Sequence, residues 1–348
     1  MNTTTKTLRA RAATTGRATM KAIVQHAYGT ADVLELADIE RPTIADTDVL
    51  IRVKAASVNH ADWVYTTGEP LISRLAFGLR TPKQTVRGKD VSGVVEAVGA
   101  AVTRFTPGAA VYAELEAGSF AEFARAPQEA VSLKPANLTF EQAATVPLAG
   151  MTALRGLRDA GRLRAGQRVL INGASGGVGT FAVQVAKALG AEVTGVCSAK
   201  NAELVRSLGS DHVLDYALTD FTDTGERYDL IFDSIGNHPL GSLRRALTTR
   251  GRLVLSSGTG GRVFGPLGRL VRALAQSPFM TQSLGTFAAG PDAAQLSALT
   301  QLIETGQVTP ALDRVYPLER TAEAIRYFAE QHARAKIVIS VSGNRLGE

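Results

Sequence analysis

Apolar and polar positions change rhythm twice along the chain. From Met20 to about residue 145, apolar residues fall in short runs broken by glycine and proline, as in Met20–Gln25, Val49–Val53, Val91–Gly99 and Ala109–Ala113. Such runs, bounded by turn formers, predict strands, and their succession predicts a β-rich, barrel-like domain. Between about residues 146 and 311 the pattern alternates. The runs 168–172, 192–197, 212–215, 229–233 and 251–255 read as strands, and 178–189, 202–208 and 240–247 as helices. That alternation predicts parallel βαβ units with right-handed crossovers, hence an α/β fold with a doubly wound parallel sheet. Lys336–Val341 returns to strand character and is expected to rejoin the first domain. The predicted organisation is 20–145 plus 312–348 as one domain and 146–311 as the other, with a ligand site in the cleft between them.

The sharpest transition is Val169-Leu170-Ile171-Asn172-Gly173-Ala174-Ser175-Gly176-Gly177-Val178-Gly179. A short apolar strand breaks into a glycine-rich turn that opens into an amphipathic helix, the context that makes a glycine pattern a dinucleotide site. Ala174, Gly176 and Gly179 stand at the three positions of the usual spacing, so the first glycine is replaced by alanine. Glycine lets the backbone approach a pyrophosphate, and the helix N-terminus offers it free N–H groups. An acidic residue at the end of the next strand would select NAD by binding the ribose 2′-hydroxyl. Here that strand ends in Ser198-Ala199-Lys200-Asn201. A hydroxyl, a cation and an amide suit a 2′-phosphate, so the expected cofactor is NADPH. Tyr216, after the third strand, is placed to lie beside the adenosine end. The plainer alternatives are a solvated Lys200 at a helix start and an ordinary strand-end tyrosine.

Composition narrows the class further. The chain has 348 residues, 45% hydrophobic and 20% charged, ordinary values for a packed globular protein of two domains. No apolar run approaches the ~20 residues of a membrane span. The net charge of +6 comes without a basic patch interleaved with aromatics, so no nucleic-acid partner is expected. The single cysteine, Cys197, excludes an internal disulfide and a multi-cysteine zinc site. Residues 1–19 are rich in Thr, Ala and Arg and hold no acid, a composition like that of an organellar transit peptide. Because the first strand opens with its own Met20, they are taken as a disordered extension of a cytoplasmic protein, with an organellar address as the alternative.

Several stretches jointly resemble the medium-chain dehydrogenase/reductase superfamily, in its zinc-independent quinone oxidoreductase branch. They are Ala56-Ser57-Val58-Asn59-His60-Ala61-Asp62, Gly88-Lys89-Asp90-Val91-Ser92-Gly93, Gly118-Ser119-Phe120-Ala121-Glu122-Phe123, Ala143–Ala153, the glycine turn, and His332-Ala333-Arg334-Ala335-Lys336-Ile337. The resemblance runs from Met20 to about Val341 and implies a GroES-like domain plus a Rossmann domain, often paired as dimers. Zinc-dependent members carry Cys where this chain has Asn59, and Gly-His-Glu where it has Gly88-Lys89-Asp90. A catalytic zinc needs about three N, S or O ligands, so no metal is expected; an assembly of His60, Asp62 and Asp90 is the remote alternative.

The implied chemistry is hydride transfer from NADPH to a small electrophile, a quinone or an α,β-unsaturated carbonyl compound, with hydrogen-bond donors facing the developing oxyanion. Asn59 is expected as an orienting donor, Lys89 as a nearby electrostatic group and Tyr65 as proton donor or pocket wall. A structural role for each, with Lys89 paired to Asp90 or Asp62 and water delivering the proton, is the alternative. By resemblance, Ser175, Gly176, Gly177 and Val178 meet the pyrophosphate, and Ser198, Lys200 and Tyr216 the 2′-phosphate and adenosine. Ser234 contacts the cofactor at a position where relatives often have Asn, Gly258 does so after the next strand, and Phe287 reaches the nicotinamide side, while His332, Ala333 and Arg334 close over the cofactor. A non-catalytic NADPH-binding module and a zinc alcohol dehydrogenase are the competing functions. Finally, 261–279 reads as an amphipathic helix after Gly265-Pro266, with Leu267, Leu270, Val271 and Leu274 on one face and Arg262, Arg269 and Arg272 off it. It packs beside the cleft or at a dimer interface, or forms a membrane-surface patch for lipophilic quinones.

Overall fold

The computed structural model describes residues 18–258, 260–276, 281–287, 290–331 and 333–341. Residues 1–17 of the N-terminal extension, His332 and 277–279 of the amphipathic segment lie outside them.

In chain order the strands of the first part are β1 (Thr19–Gln25), β2 (Leu34–Glu40), β3 (Asp48–Val58), β4 (Asp90–Val98), β5 (Ala110–Glu114), β6 (Phe123–Pro127) and β7 (Val131–Leu133). Helices α1 (His60–Thr67) and α2 (Arg74–Phe77) interrupt them, and α3 (Phe140–Ala144) and α4 (Pro147–Leu154) follow. The second part runs β8 (Arg168–Asn172), α5 (Gly177–Ala188), β9 (Glu192–Cys197), α6 (Ala202–Ser207), β10 (His212–Asp215), β11 (Tyr228–Asp233), α7 (Leu240–Arg245) and β12 (Leu247–Leu255). After these come α8 (Leu267–Gln276), β13 (Ser283–Gly285), α9 (Ala293–Glu304), β14 (Leu312–Pro317), α10 (Thr321–Glu330) and β15 (Lys336–Ser340).

Two larger sheets result. One has the order β10-β9-β8-β11-β12-β13, parallel throughout. Its central strands are continuous apolar runs because helices cover both faces; Val169, Leu170 and Ile171 are all fully buried. Strand β12 starts at Leu247, so the helix expected over 240–247 closes at Arg245. The other sheet has the order β14-β15-β3-β4-β5-β7, with β6 also on β3. The tail strand β15 pairs antiparallel with β3, Ile337 opposite Val58, which brings the C-terminal part back onto the first sheet.

The seam between the two sheets is built from polar bonds set in apolar packing. The Tyr112 hydroxyl on β5 donates to the carbonyl of Leu296 on α9 at 2.8 Å. The N–H of Leu148 on α4 donates to Asp90 Oδ1 at 3.0 Å. The N–H of Ala335, at the start of the tail strand, donates to the carbonyl of Ser175 in the glycine turn at 2.8 Å. These bonds fix the walls of the cleft.

Candidate active site

The parallel sheet reverses its strand order between β8 and β11, and in such sheets ligands bind outside the carboxyl ends of the strands at that reversal. A cavity of about 690 Å³ opens there. One side is formed by Gly176, Gly177, Val178, Ser234 and Gly258, and the other wall by Asn59, Tyr65, Lys89, Leu148 and Lys336.

The turn has the geometry that the sequence pattern requires. Gly176 is the N-cap of α5 with extended backbone. A Cβ on Gly179 would come within 2.0 Å of the Gly173 carbonyl oxygen, so only glycine lets α5 pack this closely on β8. The first-turn N–H groups of a helix have no partner inside it, and here the first-turn residues Gly177, Val178 and Gly179 line the cavity. Buried Asn201 ties the turn to β9: its side-chain N–H group donates to Ser175 Oγ at 3.2 Å and to Ser198 Oγ at 3.3 Å. Lys200 and Tyr216 are exposed at the neighbouring ends of β9 and β10.

The opposite wall is a buried polar network. Asn59 caps α1; its backbone N–H donates to Asp62 Oδ2 at 2.8 Å. Its side-chain Nδ2 donates to Asp90 Oδ2 at 2.9 Å, with a longer 3.4 Å contact to the Ser57 carbonyl. Asp90 also accepts from Ser57 Oγ at 3.0 Å. Lys336 Nζ donates to Asn59 Oδ1 and to the Val58 carbonyl, and lies 3.6 Å from Asp90 Oδ2. Lys89 is ion-paired with Glu114 at 3.0 Å, not with Asp90 or Asp62. Burial works against its charge, and the Glu114 carboxylate outweighs that and holds the ammonium pKa up. Tyr65 stacks on Phe77 with ring centroids 3.9 Å apart, and Arg87 and Lys89 stand 5.7 and 5.9 Å from its ring. Burial raises the phenol pKa, and Lys89 opposes that rise.

Segment 69–72 is tied to the segment that leads into α8. The N–H groups of Leu71 and Ile72 donate to the carbonyls of Arg262 and Val263, and the Arg262 guanidinium pairs with Glu69 at 2.7 Å. Behind them Arg269 on α8 reaches the fully buried Asp233 at the end of β11, at 2.7 Å.

Segment 45–136 matches the profile of the alcohol dehydrogenase GroES-like domain, and 208–339 that of zinc-binding dehydrogenases. The chain is 33% identical over 334 residues to the NADPH-dependent alkenal/one oxidoreductase of Arabidopsis thaliana chloroplasts, covering 92% of this chain and 79% of that protein. The chain belongs to the medium-chain dehydrogenase/reductase superfamily, among its quinone and alkenal oxidoreductases. Another relative of this superfamily member is the mitochondrial NAD(P)H oxidoreductase RTN4IP1 of Mus musculus, 33% identical with 94% and 91% of the two chains covered. Among solved structures, the quinone oxidoreductase of Coxiella burnetii superposes with a TM-score of 0.81 at 27% identity, covering 93% and 100%. Mycobacterial Rv1454c, solved in complex with NADPH, gives 0.79 at 26% identity, covering 92% and 100%.

Within this oxidoreductase fold, Asn59, Tyr65, Lys89, Gly176, Gly177, Val178, Ser234, Gly258 and Ala333 line one cavity. Phe287 instead packs half-buried on the core of the parallel sheet, and Arg334 is exposed and turned toward Asp313, 3.5 Å away. His60, Asp62 and Asp90 do not converge: Asp62 caps α1, Asp90 is surrounded by donors, and His60 faces Phe328. Sequence reading missed Lys336, Glu114 and the Asp233–Arg269 pair, and it took the Asn201 amide as a 2′-phosphate donor where the structure buries it against Ser175 and Ser198. Lys336 had a signal, a lysine opening the apolar run of a buried strand, but its partner on β3, the Val58 carbonyl, is set by strand pairing far away in sequence.

Proposed function

We propose that the protein is an NADPH-dependent oxidoreductase that reduces a quinone or an α,β-unsaturated carbonyl compound. One observation carries the reading: the glycine turn and the polar set Asn59, Tyr65 and Lys89 line the same cleft. The relatives named for alkenals and quinones support this acceptor class. The turn fits a dinucleotide, since the residues facing the cavity there are glycines and a helix N-terminus, and a side chain on Gly177 would meet Lys336 at 2.9 Å. Ser175, Gly176, Gly177 and Val178 would hold the pyrophosphate, and Ser198, Lys200 and Tyr216 the 2′-phosphate and adenosine. Bound NADPH supplies the hydride. The chain's own part is to orient the acceptor and to meet the negative charge that develops on its oxygen. The second N–H of Asn59 and the Tyr65 hydroxyl are the donors on that wall. The Lys89–Glu114 pair lends Tyr65 a polar backing without a free cation.

No metal step is assigned. The positions used for ligands in zinc-dependent relatives hold an amide whose oxygen already accepts from Lys336, and an aspartate that already accepts from Ser57, Asn59 and the Leu148 N–H. The chain is further proposed to act as a homodimer. Strand β13 is the outer strand of the parallel sheet, and beside it α8 exposes Leu267, Val271 and Leu274.

The test is NADPH oxidation against a benzoquinone, a phenanthrenequinone, an alkenal, a cyclic enone and a simple ketone, with NADH and EDTA as controls. EDTA-resistant turnover of the quinones or enones, faster with NADPH than with NADH, is expected. NADPH binding without turnover would make the protein a non-catalytic module, and EDTA-sensitive ketone reduction would overturn the metal-free reading.

A further inference from the structure

Lys336 is a lysine where the fold has least use for one. It opens β15, is 2% exposed, and lies under the floor of the cleft. Burying an ammonium is costly unless its donors are met. Here three oxygens meet them: Asn59 Oδ1, the Val58 carbonyl at 3.2 Å and Asp90 Oδ2 at 3.6 Å. Nothing about β15 as a strand demands this. Its neighbours Ile337, Val338 and Ile339 are fully apolar and buried, and a methionine would pack as well.

The arrangement has one consequence for Asn59. An ammonium only donates, so it must face the amide oxygen. The Asp90 oxygens already accept from Ser57, Leu148 and Asn59, so they must face the amide nitrogen. A flipped amide would set N–H against ammonium and carbonyl against carboxylate. The orientation of Asn59 is therefore forced, and of its two N–H bonds one is held by Asp90. The other makes only the 3.4 Å contact with the Ser57 carbonyl, which is weak for a hydrogen bond, and Asn59 lines the cavity. The same lysine also touches the cofactor side. Its Cδ lies where a Cβ on Gly177 would be 2.9 Å away, and the adjoining Ala335 N–H is bonded to Ser175 in the glycine turn.

We propose that Lys336 is a positioning residue of the reduction, locking the amide of Asn59 so that its second N–H serves the acceptor oxygen, and tying that lock to the glycine turn. The proposal rests on the reductase reading above, and its test separates the two. In the full-length protein with ¹⁵N-labelled asparagine, the Asn59 side-chain signal is identified by its loss in Asn59→Ala. In Lys336→Met that signal should shift, and its amide protons should exchange with solvent at least about tenfold faster. With NADPH and a cyclic enone, Lys336→Met should lose at least about 30-fold in kcat, with KM for NADPH moved less than about threefold. Because Lys336 acts through Asn59, Asn59→Ala/Lys336→Met should be no slower than Asn59→Ala alone, the mark of residues that work as a unit. If Lys336→Met leaves the folded chain unrecoverable, Lys336→Met/Asp90→Asn removes both charges of the buried pair and takes its place in every measurement. An Asn59 signal indifferent to the lysine, an Asn59→Ala variant at full rate, or losses that multiply in the double variant would each overturn the proposal. A wild-type protein that turns over no acceptor, yet whose Asn59 signal depends on Lys336, would sink the reductase reading and leave the lock standing.

Discussion

Asp62 shows how one buried side chain couples the site to the stability of the whole chain. It is 2% exposed and accepts the Asn59 N–H at 2.8 Å. Burial pushes its carboxyl up to about 7, with the Asn59 N–H pulling the other way and the Asp90 charge adding to the rise. An unfolded chain releases that proton at an ordinary carboxyl pKa of about 4. Between those two values the folded state binds more protons than the unfolded one, so stability falls as pH rises. The contribution is complete below about pH 4 and lost above about pH 7. Asp62→Asn keeps an oxygen for the Asn59 N–H and removes the titration. Relative to the wild type, it should therefore gain more than about 1.4 kcal/mol on going from pH 5 to pH 8, measured by chemical denaturation at each pH. A difference that stays constant across that range would mean that Asp62 is ionised in the folded protein throughout.

At the scale of the elements, what the sequence discloses depends on whether its information is local. Strands β8, β9, β10 and β11 and helices α5 and α6 stand within a residue of their predicted ranges because their apolar runs are short, regular and bounded by turns. Helix α8 is present too, but rotated. Leu270 and Ala273 face the core, while Leu267, Val271 and Leu274 point outward, the reverse of what an amphipathic face normally does. Arg269 supplies the reason: its guanidinium is drawn inward to Asp233, and the helix turns to follow it. No periodicity could reveal that, since Asp233 sits 36 residues away at the end of β11. The polar wall of the cleft was half legible for the same reason. Asn59 and Lys89 stand in motifs that point to their roles and Tyr65 lies three residues beyond one, whereas Glu114 and Lys336 are brought to them only by the pairing of β4 with β5 and of β15 with β3. The α8 anchor makes its own prediction. Arg269→Ala leaves the second oxygen of a fully buried carboxylate without its cation, and breaking such a pair costs about 3 kcal/mol. Denaturant unfolding should show that loss, together with faster hydrogen exchange across α8. A change below about 0.5 kcal/mol would mean that surface helix packing alone holds the element.

The exposed face of α8 becomes an argument only at the level of the whole molecule. Val263 and Phe264 adjoin it, exposed like Leu267, Val271 and Leu274, so one stretch of chain presents five large apolar side chains to water. Monomeric proteins rarely leave such contiguous patches bare. The adjacent β13 is the outer strand of the six-stranded sheet. A two-fold axis beside α8 would cover the exposed apolar faces of both copies at once, as a self-complementary interface requires. A lipid surface would cover the same face without a second copy. The outcome can be read from a single substitution. Val271→Glu places a charge in the centre of the patch and touches neither the glycine turn nor the Asn59 wall, so NADPH affinity should persist. Light scattering should then report a dimer for the wild type and a monomer for the variant, with neither sedimenting with anionic vesicles at low salt. If the wild type is monomeric and does sediment, the patch faces lipid.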